Sequence, residues 1–397
     1  RFSSDGEGRS RRSGDNPGVI SRRFLSRSTP AVLLALGFGL GLAPAGRVAA
    51  AQEGAAAPSA GAESLPAREV MRWEPPLAAT TARPVRLPPT RPATRPWRLC
   101  VLFPHIKDAY WLGVNYGMAE QARKLGLALQ FFEAGGYPNL AIQREQARAC
   151  GADPRVDALI IGTVSFDGLS PLLAQIARRI PVLATVNDIA PPGITAKVGV
   201  DWVDMGRAAG RRLVEELGSG SEPVPIAWFP GPRGAGWVPF VDRGFREAIA
   251  GSRIQIRHTA WGDTGKAVQR NLVQRSLDEH PDLRYLVGNA PMAEAAVSVL
   301  RERGLLDRVG IVSTYFTPDV YRAILRGRVL AAPTDAPVLQ GRLSIDQAVD
   351  LLERRPVARH VGPVIRIVDR ASLAERDIDD SLPPSSFAPL FRVELPR

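Results

Sequence analysis

The sequence predicts an α/β protein built as two doubly wound, three-layer (αβα) lobes. Three observations carry that expectation. From Trp97 onward, short runs of β-branched and aromatic residues alternate with amphipathic helical stretches, and strands apolar on both faces that alternate with helices assemble into parallel sheets. About nine such units fall within roughly 270 residues, more than one sheet comfortably holds. The runs also lack the even eightfold repeat of a barrel, so two lobes must share them.

Taken in order, the chain opens with Ser21-Arg22-Arg23-Phe24-Leu25, an apolar run over 31–43, and Ala49-Ala50-Ala51 before Gln52. These are the n-region, h-region and small-residue cleavage site of an export signal within residues 1–51, with the mature chain starting near Gln52. The apolar run is too short to span a bilayer, which needs about 20 residues. The paired Arg hints at twin-arginine export, but the usual intervening residue is absent, so the general secretory route is the better reading. Residues 52–96 are rich in Ala, Pro and Arg and include nine Pro. Each Pro removes a backbone donor and fixes φ, so the segment reads as a linker with no core of its own.

Strand candidates follow at 98–104, 127–133, 157–161, 181–186, 224–229, 254–260, 284–288, 309–314 and 328–332. Helix candidates lie between and after them, at about 110–125, 139–150, 169–179, 203–217, 239–250, 265–279, 291–303, 317–326 and 336–354.

Composition narrows the function. The chain of 397 residues is 45% hydrophobic and 23% charged, which suits a soluble globular protein and excludes disorder, collagen and a polytopic membrane protein. A net charge of +11 would suggest nucleic acid if it belonged to the fold. It does not: residues 1–51 carry eight Arg against Asp5, Glu7 and Asp15, residues 52–98 carry seven Arg against four Glu, and only +3 is left for 99–397. That balance makes no electrostatic case for nucleic acid. Cys100 and Cys150 cannot build a disulfide scaffold or a Cys-rich zinc site, and a bond between them is the less favoured reading. Four histidines, at 105, 258, 280 and 360, show no metal-ligand spacing. No metal or cofactor is expected. No GxxxxGK[ST] loop and no GxSxG elbow occurs, so neither a nucleotide site nor a serine hydrolase is indicated.

Asp108-Ala109-Tyr110-Trp111 opens the first helix, where the carboxyl ends of parallel strands place a ligand cleft. Asn187-Asp188 ends the fourth strand, and Gly199-Val200-Asp201 leads into Gly206-Arg207-Ala208-Ala209-Gly210. Then come Gly231 to Trp237, Asp242-Arg243-Gly244-Phe245, Gly288 to Ala293, and Thr334-Asp335-Ala336-Pro337. In this order, over 97–368, the series resembles the type I periplasmic binding proteins of the ribose and galactose group. The resemblance implies an exported, periplasmic, non-enzymatic binder with its ligand cleft between the lobes. It places the first lobe at 97–202 plus 337–362 and the second at 203–336 plus 363–397 with a tail. Crossings then fall near 202–204, 335–337 and 361–363. The stretches Phe103 to Met118, Glu133 to Leu140 and Ser386 to Phe391 are similar to a branch of that group. That branch binds trimethylamine N-oxide (TMAO) and works with a membrane sensor kinase.

Sugar binders of this fold present an Asn and two aromatics at the first helix start; here those places hold Asp108, Tyr110 and Trp111. Their Asp-Arg pair after the fourth strand is Asn187-Asp188 here, so a sugar loses its Arg anchor. By position along the fold, Trp237, Trp261, Asn289, Tyr315 and Asp335 reach the same cleft, and Tyr137 lies at its rim. Aromatic faces and carboxylates without a cleft Arg suit methylammonium-like groups, whose methyls carry partial positive charge. A Tyr hydroxyl or Trp N–H would donate to the N-oxide oxygen. Asp108 is equally suited to cap a helix, Trp202 and Trp228 are assigned to packing, and His105 to structure.

The expected partners are therefore a small ligand, TMAO or similar, and the periplasmic domain of a membrane sensor histidine kinase. The alternative is an ABC permease that imports a sugar or other small metabolite. An enzyme on this scaffold is disfavoured because no nucleophile and base set can be singled out. A repressor of this fold would need a helix-turn-helix where residues 52–96 are too rich in Pro.

Overall fold

The computed structural model describes residues 67–374 and 378–395. The export leader, the cleavage site and the first part of the expected linker lie outside these residues. The rest of that linker is a correction: β1 (Arg68–Trp73) and β2 (Ala82–Leu87) form an antiparallel hairpin, paired from Arg68↔Leu87 to Trp73↔Ala82. Pro composition misled because Pro84 sits in β2, the edge strand of its sheet, where a missing donor costs no ladder bond. Val70 and Trp73 of β1 are buried.

The first lobe continues with β3 (Arg98–Phe103), α1 (Ala109–Leu125), β4 (Ala128–Glu133), α2 (Leu140–Ala152), β5 (Ala158–Ile161), α3 (Ser170–Ile176), β6 (Val182–Thr185) and β7 (Ala196–Val198). The second lobe holds α4 (Trp202–Leu217), β8 (Val224–Gly231), α5 (Val238–Ile249), β9 (Ile254–Trp261) and α6 (Lys266–Glu279). It goes on through β10 (Tyr285–Gly288), α7 (Ala290–Glu302), β11 (Gly310–Ser313), α8 (Pro318–Leu325) and β12 (Ala331–Thr334). The chain then returns with α9 (Pro337–Leu352) and β13 (His360–Gly362) to the first sheet, gives β14 (Arg366–Asp369) to β12, and ends in β15 (Arg392–Val393).

The first sheet has the order β15-β4-β3-β5-β6-β7-β13-β1-β2, parallel from β4 to β13 and antiparallel beyond. The second is the parallel β11-β10-β8-β9, beside the antiparallel pair β12-β14. Two-sided burial explains the continuous apolar runs: Leu99, Val101 and Phe103 of β3 face one core, while Cys100 and Leu102 face the other. The strand expected at 328–332 starts three residues later, because Gly327 takes φ 65° in the turn closing α8. The C-terminal tail, expected with the second lobe, lies on the first: β15 pairs with β4, and Asn115 of α1 exchanges two hydrogen bonds with the Leu390 backbone.

Gly206 and Gly244 let α4 and α5 touch backbone to backbone. A Cβ at Gly206 would stand 2.1 Å from the Val241 carbonyl oxygen, and one at Gly244 would stand 1.9 Å from that of Val203. The Gly206 to Gly210 motif is thus a packing device. Among the described residues no helix is long and apolar enough to cross a membrane.

Cys100 and Cys150 are joined in a disulfide, against the reading that kept them apart. Their 50-residue separation hides a Cα–Cα distance of 6.1 Å, created when α2 packs on β3. Cys150→Ser is expected to lower stability by about 2–4 kcal/mol, mainly by freeing the unfolded chain. Urea denaturation of the oxidised protein measures it, and an unchanged midpoint would mean that the bond contributes nothing.

Candidate ligand site between the lobes

Asp108 takes extended backbone angles and its Oδ1 accepts from the Tyr110 N–H at 3.0 Å, so it caps α1 and fixes where Tyr110 and Trp111 begin. Tyr137 follows β4. Asn187 follows β6 directly after Val186, whose φ of 65° is an outlier for a β-branched residue and a mark of stored strain. From the second lobe, Trp237 precedes α5 and Tyr315 follows β11, while Asp335 sits on the crossing between β12 and α9. All lie at the carboxyl ends of strands, the place where α/β sheets bind ligands.

The side chains meet as a run of edge-to-face and tilted rings. Centroids are 5.9 Å apart for Trp111 and Tyr110, 5.5 Å for Tyr110 and Tyr315, 6.0 Å for Tyr315 and Trp237, and 6.4 Å for Trp237 and Tyr137. Polar bonds cross between the lobes. The Tyr315 hydroxyl donates to Asp108 Oδ2 at 2.6 Å, Trp237 Nε1 to the Tyr137 hydroxyl at 3.1 Å, and Lys107 Nζ to Asp263 Oδ2 at 2.6 Å. His105 Nε2 and Thr264 Oγ1 lie 3.0 Å apart across the same gap. Tyr110 donates to Asp335 Oδ2 at 2.7 Å, and Gln340 Nε2 donates to both, at 2.9 and 2.8 Å. Asn187 Nδ2 donates to the Tyr137 hydroxyl at 3.1 Å. With two donors on its oxygen, Tyr137 keeps its own proton to give.

Burial pushes both Asp108 and Asp335 up to about 6, opposed by the tyrosine hydroxyls that donate to them. Asp263 adds repulsion at Asp108. Glu294, half-buried near Asp319 and Asp108, is pushed up to about 8 by its partial burial and those two carboxylates. Burial and the neighbouring carboxylates hold Tyr110 and Tyr315 well above the usual tyrosine range, so both stay neutral donors. Buried polar atoms in this neighbourhood that lack a protein partner include Asp335 Oδ1, Gln340 Oε1, Thr314 Oγ1, Asp263 Oδ1 and His105 Nδ1. An unsatisfied buried polar atom costs about 1–3 kcal/mol.

Eight of the ten residues expected from the sequence join this cluster; two do not. Trp261 stands half-buried beneath the Arg233 guanidinium, 4.3 Å from its ring centroid, because it ends the edge strand β9. Asn289 is buried but spent on structure: Oδ1 caps α7 through the Met292 N–H at 3.0 Å, and Nδ2 donates to the Phe229 carbonyl. Trp111 does two jobs, since its ring also packs 4.9 Å from Phe103 and occupies the space a Cβ on Gly162 would need. Trp228 packs as expected, stacked 4.0 Å from Phe245. Trp202 supports Trp237 from behind at 5.2 Å. Gln340 and Thr314 escaped sequence reading because both sit in apolar runs with no motif around them. His105 bridges the lobes, a role that its position after the first strand did not distinguish from packing.

A family model described as a periplasmic binding protein domain matches residues 99–356. The chain belongs to that family. Among its relatives is the periplasmic protein TorT of Escherichia coli K12, 39% identical over 304 residues, 75% of this chain and 85% of that one. The binding protein also resembles an ABC transporter solute binding protein from Bradyrhizobium sp. BTAi1 with bound bis-tris. That match has 45% identity and a TM-score of 0.70, covering 81% of this chain and 97% of the other. A complex of the TorS sensor domain with TorT in the presence of TMAO matches at 41% identity and a TM-score of 0.68, covering 74% and 99%.

Proposed function

We propose that this protein is a periplasmic receptor for TMAO or a closely related methylated amine, and that it presents the closed, ligand-bound state to a membrane sensor kinase of the TorS type. The ring cluster closed by two buried carboxylates carries the reading. Tyr110, Trp111, Tyr315 and Trp237 offer aromatic faces to the methyl groups, Asp335 and Asp108 supply negative charge, and the Tyr137 proton meets the N-oxide oxygen. Each cation–π contact contributes about 0.5–2 kcal/mol, so three or four yield micromolar affinity after the entropy of binding. The Arg fork that anchors a sugar is absent: Asp188 follows Asn187 and pairs instead with Lys197. The identity to TorT supports the pairing with a kinase.

Binding is expected to weaken as pH falls. Asp108 and Asp335 are ionised above about 6 in the unliganded protein, and a guest with positive methyls favours the ionised form, so the complex releases protons. Affinity should hold a plateau above pH 7 and decline from pH 7 to pH 5; calorimetry across that range checks it, and a flat profile would remove the carboxylates from the site.

A second reading, the receptor of an ABC importer, is favoured by the Bradyrhizobium relative. Size-exclusion chromatography with the periplasmic domain of the organism's TorS-type kinase separates the two. A stable complex is the expected result, and two independent peaks with and without TMAO would favour the importer.

A further inference from the structure

We propose that His258, Glu279 and His280 form a binding site for a transition-metal dication of the zinc class on the second lobe, separate from the ring cluster. The chain has four histidines. His105 and His360 are packed inside, where burial holds their imidazoles down to about 4 and about 3. The other two are 22 positions apart in sequence, yet their ring centroids are 5.3 Å apart. The fold makes the meeting: His258 lies on β9, the edge strand of its sheet, and His280 is the C-cap of α6, which returns alongside. Glu279, the last residue of α6, brings Oε2 to 3.9 Å from His258 Nδ1. One donor atom from each of the three residues lies within 4.8 Å of the other two.

Two imidazoles and a carboxylate are the donor set of zinc-class ions, with a fourth position left for water or an outside ligand. Metal–ligand bonds of about 2.0–2.2 Å require the donors to draw closer than they stand now. The side chains have room to do so, since those of His258 and Glu279 are 24% and 51% exposed. The helix end adds an independent reason. The C-terminus of α6 carries the negative pole of its dipole, and cations are favoured there. Yet its last turn has no basic residue. Asp278 is neutralised by Arg303 at 2.6 Å, and the nearby Arg257 faces Asp282 at 3.9 Å. Glu279 is therefore a carboxylate at a negative helix end with only a histidine opposite, and a bound dication corrects that imbalance. Because α6 starts beside the cleft loop at Gly265 and ends at these residues, the metal would tie β9 to the far end of the helix.

The test uses the mature, tag-free protein stripped with chelator, titrated with zinc by calorimetry and with cobalt by visible absorption. The expected result is one zinc per chain with a Kd of about 10 μM or tighter, a cobalt band characteristic of nitrogen ligation, and a Tm that rises with zinc but not with magnesium. His280→Ala and Glu279→Gln, at the half-exposed end of α6, should fold normally, as their metal-free Tm checks. His280→Ala should weaken zinc by at least about ten-fold and abolish the zinc-dependent rise in Tm, and Glu279→Gln should weaken it less. Wild-type protein that binds no zinc, or variants that titrate like wild type, would overturn the assignment.

Discussion

Asp335→Asn is expected to weaken TMAO binding by about 10- to 100-fold while leaving the unliganded protein as stable as before or more so. The carboxylate is fully buried on the crossing between the lobes, with Oδ2 taken by Tyr110 and Gln340 and Oδ1 without a protein partner. Of the two acidic groups it is the one with an oxygen to spare, because both oxygens of Asp108 are occupied, by the Tyr110 N–H and the Tyr315 hydroxyl. An amide keeps the shape and loses the charge. Interactions with a charged partner contribute about 1.5–3 kcal/mol, which converts to that loss of affinity. Stability moves the other way. Burial raises the folded-state value from 3.8 to about 6. The raised carboxyl thus contributes stability that is fully present below about 4 and lost as pH rises through about 6. At pH 7 the ionised group is a cost of roughly 3 kcal/mol, which Asn removes. Calorimetry and a thermal melt at pH 7 read both effects. Unchanged affinity would take Asp335 out of the site, and a large drop in Tm would make it a structural residue.

Trp111→Ala is expected to lower stability by about 3–5 kcal/mol as well as affinity. From the sequence alone, a cleft-lining Trp111 would lose affinity with little change in Tm. The structure revises this, because the ring is 2% exposed, packs on Phe103 and fills the space above Gly162. One edge meets the Tyr110 ring at 5.9 Å between centroids, and the rest belongs to the first core. Trp111→Phe retains part of the packing and should recover part of the stability. Urea denaturation measures both variants; an unchanged midpoint for Trp111→Ala would place the ring in open cleft.

What could be read in advance follows from the range over which each feature is encoded. Strands buried on both faces announce themselves as unbroken apolar runs, so β3, β5, β6, β8, β10 and β11 were legible from Leu99 to Val312. Short and Pro-bearing strands were not: β7 and β13 are three residues each, too short to form a run, and β2 carries Pro84, which its place at the sheet edge tolerates. The aromatic half of the site was legible because Tyr110, Trp111 and Trp237 stand at strand-to-helix junctions. Its polar half was not. Gln340 reaches Tyr110 and Asp335 across 230 and five positions, and the cystine and the histidine pair likewise join residues whose sequence spacing says nothing of their separation.

Isothermal titration of the mature protein at pH 7 with TMAO, betaine, choline and ribose tests the central claim most directly. The expected result is micromolar, one-to-one binding of TMAO, weaker binding of betaine and choline, whose nitrogen bears no oxygen for Tyr137, and no heat with ribose. Ribose binding with TMAO silent would contradict it and make the protein a sugar receptor.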